Sequence, residues 1–266
     1  MPRELAGTLP QEIIARIAER TLANSNPFLI PYLTGSMNVL DVGCGVGGLT
    51  VDIARRVDPG TVVGIDRQED VLERARAVAD KAGMGNVMFL NQDIHDHELP
   101  AASFDVVTNS LLLHWMEDPE TALREMAALA KSGGWVVTLD YDLTACRWYP
   151  EIPAFQKFFQ AFCQWREEQG YNNEVGGHLP GLYRRVGLRS FQVHGALEVD
   201  HPLGPHYRFR TDIWTAVVNG RGPQMIRDGV LTNSDVQSAR DEYTEWRENP
   251  DACQIIAKVF VAGRKA

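Results

Sequence analysis

The 266 residues exceed one compact domain and fall short of two, so one α/β domain with an added cap is the expectation. Apolar residues at 44% and charged residues at 23% suit a single large core, and a net charge of −9 argues against a nucleic-acid partner. Residues 1–10 carry no leader-like apolar segment, no run approaches the roughly 18 apolar residues of a membrane span, and Cys44, Cys146, Cys163 and Cys253 show no metal-ligand or C-x-x-C spacing. A cytoplasmic protein with no metal and no membrane partner is expected; a homodimer is compatible with the sequence.

Residues 11–23 read as an amphipathic helix, broken by Pro27 and Pro31. Val39–Val42 is a short apolar run ending in glycines, with a helix over 49–57 behind it. The Asp58-Pro59-Gly60 turn leads to a second strand at 61–65, a helix over 69–82, a third strand at 87–90 and a fourth at 104–108. A helix over 119–130 and a strand at 135–139 follow. Strands alternating with helices at this spacing predict a Rossmann-like, mostly parallel sheet covered on both faces. The second half is less regular. Helices are expected over 154–169 and 179–186 and through most of 207–247, with strands at 190–199 and 255–262. The resulting division is an N-terminal helical segment (1–36), a nucleoside-binding core (37–145), and helical cap elements with the last two strands of the sheet (146–266).

The informative stretch is Asp41-Val42-Gly43-Cys44-Gly45-Val46-Gly47-Gly48. Glycines ending a first strand let the backbone turn tightly and approach a ligand without a Cβ clash. Asp66 closes the second strand, 25 residues after Asp41, where a carboxylate can accept from both hydroxyls of a ribose. Gly43, Gly45 and Gly48 also satisfy G-x-G-x-x-G, so the loop alone would fit a dinucleotide dehydrogenase. Asp41 separates the readings, because a carboxylate two residues before the first glycine favours an ammonium and repels a pyrophosphate. Asp93, after the third strand, can accept from an adenine amino group.

With Val63-Gly64-Ile65-Asp66, Asn91-Gln92-Asp93, Ser103-Phe104-Asp105-Val106-Val107 and Lys131-Ser132-Gly133-Gly134, this stretch resembles the class I S-adenosylmethionine-dependent methyltransferases, closest to their small-molecule and quinone-precursor branch. The resemblance spans about 38–142 and implies a seven-stranded sheet with a helical cap. It further implies S-adenosylmethionine as cofactor, S-adenosylhomocysteine as product and a small, partly apolar acceptor methylated on O, N, S or C. By it, Gly43, Gly45 and Gly47 line the methionine part and Asp66 holds the ribose. Asp93 contacts the adenine amino group, the Ile94 backbone and Arg67 flank the ring, and Asn109 sits near the sulfonium. Ser132 departs from the proline usual before the two glycines. Quinone-precursor C-methylation, and a cofactor-binding protein or cyclase that transfers no methyl group, are the rival readings.

Methyl transfer needs a base only if the acceptor atom starts protonated. His114, after the fourth strand, is the candidate base, and ordinary packing is its competing role. Tyr141 can orient an acceptor. Asp140 and Asp142 read as solvated strand-end acids, His178 as part of a flexible cap segment, and Trp115 as either pocket wall or core. Phe155, Phe158, Phe159, Phe162 and Trp165 suit a lid with its own core, and Cys44 a small filler.

Overall fold

The computed structural model describes Ile14 and residues 17–266. Most of the helix expected over 11–23 lies outside the described residues; within them, Ile17 and Ala18 are helical. The chain then forms α1 (Leu22–Ser25), β1 (Asn38–Val42), α2 (Gly48–Val57), β2 (Thr61–Asp66), α3 (Glu69–Lys81) and β3 (Val87–Asn91). Next come β4 (Phe104–Ser110), α4 (Pro119–Leu129), β5 (Ala130–Tyr141), β6 (Arg147–Tyr149), α5 (Pro153–Glu167) and α6 (Val175–Arg185). The chain ends with β7 (Arg189–Gly195), β8 (Glu198–Asp200), α7 (Tyr207–Arg227), α8 (Asn233–Glu248), β9 (Cys253–Ile256) and β10 (Lys258–Arg264).

These elements sort into two units. One comprises residues 17–141, 174–196 and 258–266; the other comprises residues 142–173 and 197–257 with Ile14. The first unit holds a seven-stranded sheet in the order β3-β2-β1-β4-β5-β10-β7. Pairings from β3 to β5 are parallel, and β10 runs antiparallel to both its neighbours. The expected mostly parallel α/β sheet is thus the observed one. Its central strands are apolar on both sides because helices cover both faces. Val39, Val62 and Val106 pack with Leu49, Ile53 and Ala54 of α2 and with Leu29 and Leu33. Leu40, Ile65 and Val107 pack with Leu123 and Met126 of α4 and Leu179 and Leu182 of α6. Strand order reverses between β1 and β4, so a crevice opens at their carboxyl ends.

Buried polar groups on the α4–α6 face are tied together. Tyr183, fully buried, has its hydroxyl 2.9 Å from Thr138 Oγ1, 3.0 Å from the Val261 carbonyl and 3.3 Å from the Val136 carbonyl. Burial pushes that phenol far above its ordinary range, so it remains a neutral donor.

The second unit has a three-stranded antiparallel sheet, β6-β9-β8, with α5, α7 and α8. Its core is aromatic. Trp148 meets Phe155, Phe159 and Trp214 edge-on at 4.8–5.8 Å, and Tyr243 stacks on Phe155 at 4.3 Å. Phe158, Phe162 and Trp165 of α5 are buried with them. Gln254 knits this core to the sheet, accepting from Trp148 and Tyr243 and donating to Asp200.

Four elements differ from the sequence expectation, the first being the strand expected at 190–199, which is two, with β7 in the large sheet and β8 in the small one. The strand expected at 135–139 begins at Ala130, with Gly133 at φ 74° inside it. The strand expected at 255–262 is two, with β9 in the small sheet and β10 in the large one, separated by Ala257. The run is apolar on both sides of Lys258, the first residue of β10, and apolar character alone does not tell which sheet a strand joins. β6 was not anticipated, because three residues are too few for alternation to register.

Tyr183→Phe keeps the ring and removes the hydroxyl from three buried acceptors. Urea unfolding should show a loss of about 1–2 kcal/mol; an unchanged midpoint would show that the network contributes nothing to stability.

Candidate active site

The crevice is built from the backbone outward. Gly43, Gly45 and Gly47 all sit at positive φ (71°, 53° and 76°), where side-chain-bearing residues are strained. Gly43 and Cys44 donate to the Ile65 carbonyl at 2.8 and 3.0 Å, folding the loop over β2. A Cβ on Gly43 would stand 2.6 Å from Leu112, and one on Gly47 2.8 Å from Ala75; one on Gly45 would meet nothing nearer than Ile17 at 3.9 Å. Gly45 is therefore the loop position with open space beside it. Gly48 has a packing role, since a Cβ there would stand 2.5 Å from the Ala18 carbonyl oxygen. Cys44 is buried against Gly64 and Phe89, and burial holds its thiol well above the ordinary range, so it fills space as a neutral group.

Asp66 closes the loop. Its Oδ2 accepts from Gly45 N at 3.0 Å and its Oδ1 from Gln68 N at 3.1 Å. Both oxygens of this half-buried carboxylate are held by backbone, and a carboxylate, with about four lone-pair sites, keeps acceptor capacity toward the crevice. Burial raises its pKa, and the N–H groups of Gln68, Gly45 and Arg67 and the Arg67 charge oppose that rise. Asp66 O accepts from Gln92 N and Asn91 Nδ2, tying the ends of β2 and β3 together. Arg67 is exposed beside it. Beyond β3, Asp93 is half-buried and accepts from His95 N at 2.9 Å, while Ile94 is buried in the α4–α6 core.

Asp41 is buried at the end of β1 and accepts from Thr50 Oγ1 at 2.7 Å. Burial pushes its carboxyl up to about 7; the Thr50 bond opposes this and the Asp66 charge adds to it.

A second group stands at the ends of β4 and β5. The Asp140 carboxylate is fully buried and gathers four contacts: Leu113 N at 2.7 Å, His114 N at 3.3 Å, Tyr141 N at 2.8 Å and His114 Nδ1 at 2.6 Å. The expectation of a solvated acid at 140 is corrected: alternation along β5 turns it onto the face of Thr138, beneath the turn that carries His114. A proton on Nδ1 shared with this carboxylate makes Nε2 the basic nitrogen of His114. Tyr141 packs edge-on to the imidazole at 5.1 Å, and Lys258 Nζ lies 5.3 Å from the Tyr141 ring centre. Trp115, half-buried, completes the wall at 4.9 Å from His114.

The loop, Asp41 and Asp66 are thus brought together, and so are His114 and Tyr141, with Asp140 the partner that sequence reasoning missed. Its signal was an acid ending an otherwise apolar strand. Asn109 stands apart. Its side chain is fully buried on the α4–α6 face, with Nδ2 3.1 Å from Thr138 Oγ1 and 3.2 Å from Met126 Sδ. His178 is exposed on the regular helix α6, not in an irregular segment. Among the described residues, no group of three or more His, Cys, Asp or Glu could hold a metal ion.

The family described as "Methyltransferase domain" matches residues 33–194. The chain is similar to the demethylmenaquinone methyltransferase of Lactococcus lactis, 33% identical over 184 residues that make up 61% of this chain and 70% of that one. It is also similar to a probable methyltransferase of Aspergillus luteorubrus, 37% identical over 42% of this chain and 43% of that protein. An uncharacterized methyltransferase of Schizosaccharomyces pombe is 29% identical over 50% of each chain, so the chain spans about half the length of the first curated relatives it matches. Among solved structures, the fold is shared with the YcgJ protein of Bacillus subtilis, at TM-score 0.61 and 19% identity over 90% of this chain and 97% of that one. It is shared too with Haemonchus contortus phosphoethanolamine N-methyltransferase 2, solved with phosphomonomethylethanolamine and S-adenosylhomocysteine, at TM-score 0.62 and 14% identity over 97% and 57%.

The raised Asp41 pKa has a consequence for stability. The folded chain keeps this proton up to about pH 7, whereas an unfolded aspartate releases it near 3.8. Between those values the folded state binds more protons, so stability falls as pH rises, by up to about 1.4 kcal/mol per unit. Asp66, shifted the same way, adds to the slope. Melting between pH 5 and 7 without ligand should show this decline, and Asp41→Asn should flatten it; an equal slope in the variant would reject the assignment.

Proposed function

This chain belongs to the methyltransferase domain family, and we propose that it transfers the methyl group of S-adenosylmethionine to an O, N, S or C atom of a small, partly apolar metabolite. The observation that carries this reading is the Gly45 N–H bond to Asp66. It sets a carboxylate that keeps acceptor capacity against the one loop glycine that has open space beside it. That arrangement suits a ribose diol lying along the loop. Asp93 stands beyond the adjoining strand for the adenine amino group, with Ile94 and Arg67 flanking the ring. Asp41, kept from ionising by burial, gains a reason to ionise when a ligand ammonium arrives.

The cofactor supplies a methyl group already activated by its sulfonium, so the protein's task is to position the acceptor and move one proton. The cofactor would supply its methyl group to the acceptor atom, and His114 Nε2 would take the proton which that atom gives up. Asp140 holds the ring in the required tautomer, and Tyr141 orients the acceptor. An acceptor with an ionisable O–H or N–H is the class that uses this base. The quinone-precursor and non-transferring readings are not favoured by the comparisons. A net charge of −9 and the absence, among the described residues, of a helix long and apolar enough to cross a membrane support a small-molecule acceptor. A cytoplasmic setting and a role in secondary-metabolite biosynthesis belong to the same proposal.

Calorimetry with S-adenosylmethionine should show binding, weakened roughly 100-fold by Asp66→Ala through loss of two charge-assisted hydrogen bonds. No binding, or a variant indistinguishable from wild type, removes the proposal. Incubation with the cofactor and a metabolite extract should release S-adenosylhomocysteine. On the acceptor so identified, Asp140→Asn should lower turnover by roughly 10²–10³ while leaving cofactor affinity unchanged. A parallel fall in affinity would reduce the His114–Asp140 pair to a structural role.

A further inference from the structure

The opposite face of the sheet carries a second polar cluster at the crevice. Parallel register places Asp41 of β1 beside Thr108 of β4, and alternation returns Ser110 to the same face two residues later. All three lie on the α2 side, where Thr50 reaches Asp41. Asn26, the residue that caps α1 and precedes the next turn, is fully buried there, and its Nδ2 donates to Ser110 Oγ at 2.8 Å. Its Oδ1 has no hydrogen-bond partner although buried, and neither has Thr108 Oγ1. Buried oxygens without a donor are unfavourable and rare, so two of them in one cluster call for a group that arrives later.

The segment that carries Asn26 lies on the glycine loop. Ile17 borders the Cβ position of Gly45, Ala18 presses on Gly48, and Leu22 N donates to Asp52 of α2 at 2.8 Å. Asn26 therefore reaches the cluster from the same edge as the loop. Its Oδ1 is an acceptor. Ser110 Oγ already accepts from Asn26, so its own O–H is left to donate. An acceptor and a donor side by side, with Asp41 on the adjoining strand, complement an ammonium and a carboxylate borne on one carbon.

We propose that Asn26 and Ser110, with Thr108, receive the amino-acid end of S-adenosylmethionine: Asn26 Oδ1 takes the ammonium and the Ser110 hydroxyl donates to the carboxylate. This rests on the cofactor reading above and names residues that the glycine loop does not contain.

The test separates the two ends of the cofactor. The full chain is titrated with S-adenosylhomocysteine and with 5′-methylthioadenosine, which keeps the adenosyl thioether and lacks the amino-acid end. Asn26→Ala should weaken S-adenosylhomocysteine roughly tenfold or more and leave methylthioadenosine within about twofold. Should Asn26→Ala fail to fold, Ser110→Ala and Thr108→Val read the same selectivity. Equal loss for both ligands, or no loss for either, overturns the assignment and leaves the cluster as packing around internal water. A wild-type chain that binds methylthioadenosine as tightly as S-adenosylhomocysteine overturns it as well. A wild-type chain that binds neither ligand overturns the cofactor reading, and this assignment with it.

Discussion

A single hydrogen bond organises the crevice: the Gly45 amide donating to the Asp66 carboxylate. It is available only because three glycines take up left-handed backbone in five residues, which turns the amides after β1 toward β2. With the Gly43 and Cys44 amides donating to the Ile65 carbonyl, this bond holds the loop over the β2 end and fixes the acid beside it. The same residue anchors β3 through its main-chain carbonyl, so three adjacent strand ends are set by one residue. Asp41 is buried nearby, and burial first, with the Asp66 charge adding to it, pushes its carboxyl up to about 7.

The two faces of the sheet divide the chemistry. On the α2 side stand Asp41, Thr50, Thr108, Ser110 and Asn26, groups suited to holding a charged small molecule. On the α4–α6 side stand Asp140 and His114, suited to moving a proton. Strand alternation alone makes the division, since neighbouring residues such as Asn109 and Ser110 leave β4 in opposite directions. The two sets of groups therefore approach one another only toward the carboxyl ends of the strands.

Much of this was legible in the residues. The strand-loop-helix order from 38 to 142 and the acids at 41, 66 and 93 follow from continuous apolar runs punctuated by glycine, which is how parallel strands covered on both faces must read. What escaped the sequence has a common cause: burial of a polar group is settled by a partner distant in the chain. Asp140 looked solvated because its donors lie at 113 and 114. The amide of Asn109, a residue the resemblance sets near the sulfonium, is held by Thr138 and Met126 of other elements. Asn26 attracted no attention, since nothing local to it foretells Ser110, 84 residues away. The split between β9 and β10 was hidden for the opposite reason, because one apolar pattern serves two sheets.

The contact between Gly48 and the Ala18 carbonyl bears on how such chains can be recombined. Residues 17–26 are separated from the loop by a full strand, yet they lie in the same unit and touch it where a single methyl group would not fit. A chimera joined just ahead of β1 would inherit every strand of the sheet and a leading segment shaped for another loop. Such hybrids should fold and still mismatch at the seam. Exchange of this region between relatives therefore has to carry the leading segment and the glycine turn as one cassette.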